Sequence, residues 1–216
     1  MNLSPYISHS ILKADTSLND VEKLCSEAQK HDFYSVCIPP FYVKKAKELL
    51  LNSNVKTSTV IGFPFGYCAV EAKIAEIVLA IIDGVDELEI TTNVSAIKNN
   101  DYSFIANELN TILPIVRSKN KVLKIIIESG SLTNDELKKC CDIFGAAGID
   151  YLKTSTGYGE KNTSLNAIHF IRKYLADAVK IEAGYNKITY DFAEGLIKEG
   201  VERLCCSNST ELIMIN

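Results

Sequence analysis

Tyr151-Leu152-Lys153-Thr154-Ser155-Thr156-Gly157 reads as a short buried strand that ends on a lysine, three small or hydroxyl residues and a glycine. After Gly157 the chain turns polar through Tyr158-Gly159-Glu160-Lys161-Asn162. Burial disfavours an ammonium, and a lysine kept as the free amine attacks carbonyl carbons. About 27 residues further on, Val179-Lys180-Ile181-Glu182 repeats the arrangement. A second cation beside the first would depress its pKa further. The plainer reading makes each of them a surface lysine at a strand end.

That spacing recurs along the whole chain. Strands are expected over 6–12, 33–38, 55–63, 85–91, 122–128, 151–153, 179–182 and 203–207. Helices are expected over 15–30, 43–51, 69–83, 102–118, 134–147, 165–175 and 190–199, with one more helical turn in 210–216. In the first helix Leu18, Val21, Leu24, Cys25 and Ala28 recur at helical spacing, and Thr16 or Ser17 can cap it. Pro39-Pro40 and the run Gly62, Pro64, Gly66 stop the second and third strands. Strict strand-then-helix alternation argues for a parallel sheet. Eight units of one βα each suggest a closed (β/α)8 barrel, a TIM barrel, as a single domain over 1–216. The alternative is an open doubly wound sheet, but no G-x-G-x-x-G follows any strand, so a dinucleotide site lacks support.

The chain has 216 residues, 47% hydrophobic and 23% charged, with a net charge of -4. That balance favours neither nucleic acid nor an anionic membrane as a partner. The seven cysteines are odd in number and include no CxxC, which fits reduced thiols in a cytoplasm better than a zinc site or a disulfide framework. Met1 to Pro5 is too short and polar for a signal peptide, and no apolar run is long enough to span a bilayer. His9, His31 and His169 share no metal-binding spacing.

In such a barrel the chemistry sits at the carboxyl ends of the strands. The polar residues expected there are Ser8, His9 and Ser10, then Cys37, then Glu89 to Asn93, then Lys124 and Glu128. Lys153 to Gly157, Lys180 with Glu182 and Gly184, and Cys206 to Asn208 complete the ring. Glu89 lies between Leu88 and Ile90, so an inward Glu89 needs a cation, and Lys153 and Lys180 are the available partners. The alternative for Glu89 is an ordinary salt bridge facing a helix. Lys124, between Leu123 and Ile125, is either inside and paired or near the strand start. Cys37 is expected as a small core residue and His9 as a structural histidine. The hydroxyl-rich ends at 154–157 and 207–209 are either turns or phosphate cradles.

At these residues the chain resembles the deoxyribose-phosphate aldolase family, in order and over nearly its whole length. The matching segments are Ile7 to Lys13, Ser35 to Pro40, Thr59 to Gly66, Asp86 to Asn93, Leu123 to Gly130 and, most specifically, Leu152-Lys153-Thr154-Ser155-Thr156-Gly157. The resemblance implies a class I aldolase on an eight-stranded α/β barrel, without metal or organic cofactor. Its expected reaction is cleavage of 2-deoxy-D-ribose 5-phosphate to D-glyceraldehyde 3-phosphate and acetaldehyde. Carried over, Lys153 would form the Schiff base, Lys180 would lower its pKa and help to move protons, and Glu89 would relay protons in place of the family's aspartate. Gly157, Gly184 and Ser207 fall on phosphate-binding positions, and Lys124, Thr154 and Asn208 complete the expected substrate-binding set. The resemblance also implies a homo-oligomer, a dimer, acting on a small sugar phosphate in the cytoplasm.

The chain departs from the family pattern at Ser8, Glu89, Ala183 and Cys205. These departures leave two further expectations beside the first. One is a Schiff-base aldolase with an altered acceptor, and the other is a sugar-phosphate binding protein with little turnover.

Overall fold

Inward-facing and outward-facing side chains alternate along every strand, and this alternation sets the architecture. In the computed structural model, which describes residues 1–214, eight parallel strands close on themselves in sequence order. They are β1 (Ile7–Ser10), β2 (Ser35–Ile38), β3 (Lys56–Ile61), β4 (Glu87–Thr91), β5 (Val122–Ile126), β6 (Tyr151–Lys153), β7 (Lys180–Gly184) and β8 (Arg203–Cys206). Helices α1 (Leu18–Lys30), α2 (Val43–Leu49), α3 (Val70–Ile82), α5 (Tyr102–Ser118), α6 (Asn134–Ala147), α7 (Leu165–Tyr174) and α8 (Tyr190–Lys198) follow the first seven strands. The expected barrel is therefore present.

Two elements differ from expectation. A short helix, α4 (Val94–Lys98), fills the start of the β4–α5 connection, where Asn93 caps it by accepting from Ala96 N. The last turn is α9 (Ser209–Ile213), one residue earlier than its expected start, and 215–216 of that expected turn lie outside the described residues. Helix starts follow the capping chemistry. Ser17 with Asp20 and Thr133 with Glu136 each form a reciprocal capping box, so α1 begins at Leu18 rather than Asp15.

The apolar core lies between the barrel wall and the helices. It gathers the outward strand residues Ile7, Leu88, Ile90, Leu123, Ile125, Leu152 and Ile181 with helix residues such as Val21, Ile77, Ile112 and Phe144. His9 belongs to this outward set and reaches α1, where its Nε2 lies 3.0 Å from Glu27 Oε2. A buried ion pair lies between two of the outer helices. Lys73 of α3 lies 2.7 Å from Glu108 of α5 and donates to Thr91 O at 2.8 Å.

Gly66 is needed at the β3–α3 connection. Its φ is +71°, and a Cβ there would lie 2.1 Å from Thr92 O.

Removing one member of a buried pair leaves an uncompensated charge and typically costs about 3–5 kcal/mol. Lys73→Met should therefore lower the denaturation midpoint sharply. Lys73→Met with Glu108→Leu should recover most of the loss, as equilibrium unfolding in urea would show.

Candidate active site

The same alternation fills the barrel with charge instead of the usual branched side chains. Glu87 and Glu89 project inward from β4, Lys124 from β5, Tyr151 and Lys153 from β6, and Glu182 from β7. All are buried. Lys124 lies 2.8 Å from Glu87, 3.4 Å from Glu89 and 2.5 Å from Glu182. Lys153 donates to Glu89 Oε2 and lies 3.2 Å from Glu182 Oε1. Ser58 of β3 donates to the other Glu89 oxygen at 2.7 Å. Three carboxylates thus surround two ammonium groups.

The electrostatics follow from this count. Burial works against the Lys153 ammonium, but the negative field of Cys205, Glu89 and Glu182 outweighs it and holds the Lys153 pKa well above the ordinary lysine value. Lys124 is raised in the same way, with Glu182, Glu87 and Glu89 prevailing over burial. Burial would raise Glu89, yet Lys153 and Lys124 bring it down to about 2. The surroundings therefore favour the charged forms of Lys153, Lys124 and Glu89. The expectation of a lysine with a lowered pKa is reversed.

The cause is the position of Lys180. Tyr151 pairs in register with Lys180, and Lys153 pairs with Glu182. Lys180 therefore opens β7 at the amino-terminal end of the barrel, where it is exposed and lies 5.5 Å from the Tyr151 ring centroid. Two residues along a strand advance about 6.6 Å. The neighbour expected to be a cation is the carboxylate of Glu182.

The substrate-binding expectations divide. Lys124 is fully buried among its three glutamates and has no free face toward a ligand. Asn208 is a structural clamp, accepting from Ile188 N at 3.1 Å and donating to Ile188 O at 2.9 Å. Thr154 is buried and its Oγ1 accepts from Gly184 N at 3.2 Å, so that N–H is already used. Gly184 is required by close packing, since a Cβ there would lie 2.1 Å from Ser155 O. Gly157 and Ser207, by contrast, line a cavity of about 380 Å³ together with Ser10, Lys13, Tyr158 and Asn186.

Several contributors went unassigned in the sequence. Glu128, at φ +51°, accepts from Ser155 Oγ at 2.7 Å, from Thr156 N at 3.1 Å and from Thr156 Oγ1, and so orders the loop after Lys153. Leu12 and Phe63 pack on the inner ring of Cys37, Val60 and Cys205. Tyr158 meets Phe63 edge-on at 5.5 Å and donates to Leu12 O at 2.8 Å. These three side chains meet at the carboxyl-terminal end of the barrel. A second cavity of about 410 Å³, lined by Leu12, Lys13, Pro39, Val60 and Phe63, adjoins them.

Among the described residues, one group places metal-donor atoms close together: Cys37, Glu89 and Cys205, within 4.8 Å of one another. Both Glu89 oxygens are already committed to Lys153, Lys124 and Ser58. The adjacent ammonium of Lys153 further opposes a second cation there.

The arrangement brings an amine within reach of two carboxylates, a set that can exchange protons and stabilise a cation on the Lys153 nitrogen. Lys13 supplies a cation to the lining of both neighbouring cavities.

No family model matches the chain. Individual relatives do. A deoxyribose-phosphate aldolase of Caldicellulosiruptor saccharolyticus is 36% identical over 212 residues, covering 98% of this chain and 96% of the relative. One of Mycoplasmoides pirum is 37% identical over 216 residues, covering 99% of this chain and 97% of the relative. Among solved structures, the aldolase QR15 superposes with a TM-score of 0.91 at 31% identity, covering 99% of this chain and 95% of that one. The tetrameric deoxyribose phosphate aldolase of Aeropyrum pernix shares the fold, with a TM-score of 0.90 at 24% identity and coverage of 98% and 89%. A buried lysine at the carboxyl end of β6, a closed eight-stranded barrel and full-length relatives above 30% identity agree: this chain belongs to the deoxyribose-phosphate aldolase family.

Proposed function

We propose that the chain is a class I aldolase that cleaves 2-deoxy-D-ribose 5-phosphate to D-glyceraldehyde 3-phosphate and acetaldehyde through a Schiff base on Lys153. The observation that carries this reading is the buried Lys153 amine at the barrel mouth, in contact with Glu89 and 3.2 Å from Glu182. Family membership supports the substrate.

Lys153 passes a proton to Glu89, and the amine attacks the aldehyde carbon of the open-chain sugar. Glu89 then returns that proton to the carbinolamine hydroxyl, which leaves as water. Ammonium and aldehyde have become iminium and water, and Glu89 is again a carboxylate. The iminium draws electrons from the C2–C3 bond, and the glutamates stabilise its positive charge. The phosphate is assigned to the cavity holding Lys13, Gly157 and Ser207. No metal or organic cofactor enters this scheme. Lys180 has no part in it.

A second reading, an aldolase with an altered acceptor, is favoured by the Cys205 side chain. It narrows the inner ring with Cys37 and Val60. Cleavage of phosphorylated against unphosphorylated deoxyribose separates the two readings.

We also assign the chain to the cytoplasm, where seven unpaired thiols persist, and to a homo-oligomer, since α3 exposes Val78, Leu79 and Ile82. Among the described residues no helix is long and apolar enough to cross a membrane.

Borohydride reduction in the presence of acetaldehyde should fix one adduct on Lys153 by peptide mass spectrometry. Lys153→Ala should abolish both adduct and turnover, whereas Lys180→Ala should retain full turnover. A folded wild-type protein without the Lys153 adduct would refute the reading.

The raised Lys153 pKa fixes the pH response. Below that pKa the free-amine fraction grows about tenfold per pH unit. Initial rates of adduct trapping should therefore keep rising beyond about pH 9, rather than levelling near neutrality as they would for an amine with a depressed pKa.

Lys13→Ala should raise KM for the phosphorylated sugar about tenfold, the scale of one hydrogen bond to a charged group, and leave KM for unphosphorylated deoxyribose unchanged.

A further inference from the structure

The ammonium of Lys153 faces two carboxylates, but the iminium formed from it carries a single N–H. One of the two acceptors must lose its partner when the Schiff base forms. Glu89 is fixed from three directions, by Lys153, Lys124 and Ser58. Glu182 differs. Its Oε2 is clamped by Lys124 at 2.5 Å, while its Oε1, fully buried and 3.2 Å from Lys153 Nζ, accepts no hydrogen bond. Its charged neighbour on that side is the Lys153 ammonium, and once that nitrogen is an iminium with a single N–H bound to Glu89, the buried oxygen becomes a strong proton acceptor, because a new hydrogen bond relieves its desolvation cost.

We propose that Glu182 is a further catalytic residue, the base that removes the C3 hydroxyl proton of the bound sugar and the acid that returns it to the enamine. The inference rests on the aldolase reading above. Glu182 Oε1 takes the hydroxyl proton, and the O–H bonding pair becomes the C3=O π bond. The C2–C3 pair becomes the C1=C2 bond of the enamine, and the iminium π pair returns to nitrogen. D-Glyceraldehyde 3-phosphate is released. The Glu182 carboxylic acid then protonates C2, and water hydrolyses the resulting iminium to acetaldehyde and the Lys153 ammonium. Protons and electrons balance without an external acid or base. Lys124 holds the opposite carboxylate oxygen throughout, so the reacting oxygen stays beside the Lys153 nitrogen.

The assignment also accounts for the charge count. Neutralising Glu182 leaves two carboxylates, Glu87 and Glu89, facing two ammonium groups, Lys124 and Lys153. A Glu182→Gln protein is therefore not left with an uncompensated charge.

The test separates imine formation from proton transfer. Glu182→Gln should still trap acetaldehyde on Lys153 with borohydride, at saturation and within about threefold of wild type. Cleavage of deoxyribose phosphate, and exchange of acetaldehyde methyl protons in D₂O, should both fall by about 10²–10⁴-fold, the usual reach of a general base. Formate should restore part of the exchange in Glu182→Ala by supplying a carboxylate in the vacated space. Glu182→Gln with cleavage and exchange within about threefold of wild type would overturn the proposal. So would a variant that loses trapping and exchange together without rescue by formate, since that outcome describes a merely structural glutamate. A wild-type protein that fails to trap acetaldehyde would instead remove the Schiff-base reading itself, which distinguishes the two failures.

Discussion

Lys124 is the tie on which the interior depends. One ammonium, inaccessible to water, meets Glu87, Glu89 and Glu182, which come from β4 and β7 and lie to either side of it. Taking such charges out of water is expensive, and the attraction repays it only when geometry is close and several contacts act together. Here the clustering also fixes directions. Glu89 and Glu182 each give one oxygen to Lys124 and turn the other toward Lys153. The reactive nitrogen is held by groups that are themselves held.

In the Schiff-base mechanism proposed above, that arrangement changes how the amine becomes a nucleophile. A neighbouring cation would leave it uncharged at rest. Carboxylate neighbours keep it charged and favour the positively charged intermediate that follows. The difficulty moves from stabilising the iminium to releasing the first proton. Burial raises the stakes of each step, because interactions in a low dielectric are strong in either direction.

Much of this was legible from residue order. The eight-fold repeat identified the barrel, and the apolar flanks of Glu89 identified an inward carboxylate. Lys153 stood out because its strand was otherwise destined for burial. The level of each side chain inside the barrel was not legible. Lys153 and Lys180 look equivalent in their local motifs, yet the stagger between β6 and β7 sets Lys153 level with Glu182. Stagger belongs to the closed sheet and not to either strand. Lys124 and Asn208 illustrate a related limit. Both are polar residues near strand ends, but one is consumed by internal ion pairs and the other by a loop backbone. Helix α4 escaped notice because five residues carry too little periodicity to register.

The far end of the barrel carries one more implication. Tyr151 lies within 5.5 Å of both Lys124 and exposed Lys180, and the Arg203 guanidinium stacks 3.4 Å from the Tyr34 ring. Aromatic rings and cations thus line the amino-terminal floor of the barrel. In the proposed mechanism the sugar would come to Lys153 from the opposite end, beside Leu12, Phe63 and Tyr158. There the smaller fragment stays covalently on the lysine after the carbon–carbon bond breaks while the larger one is free, so the larger departs before hydrolysis releases the smaller.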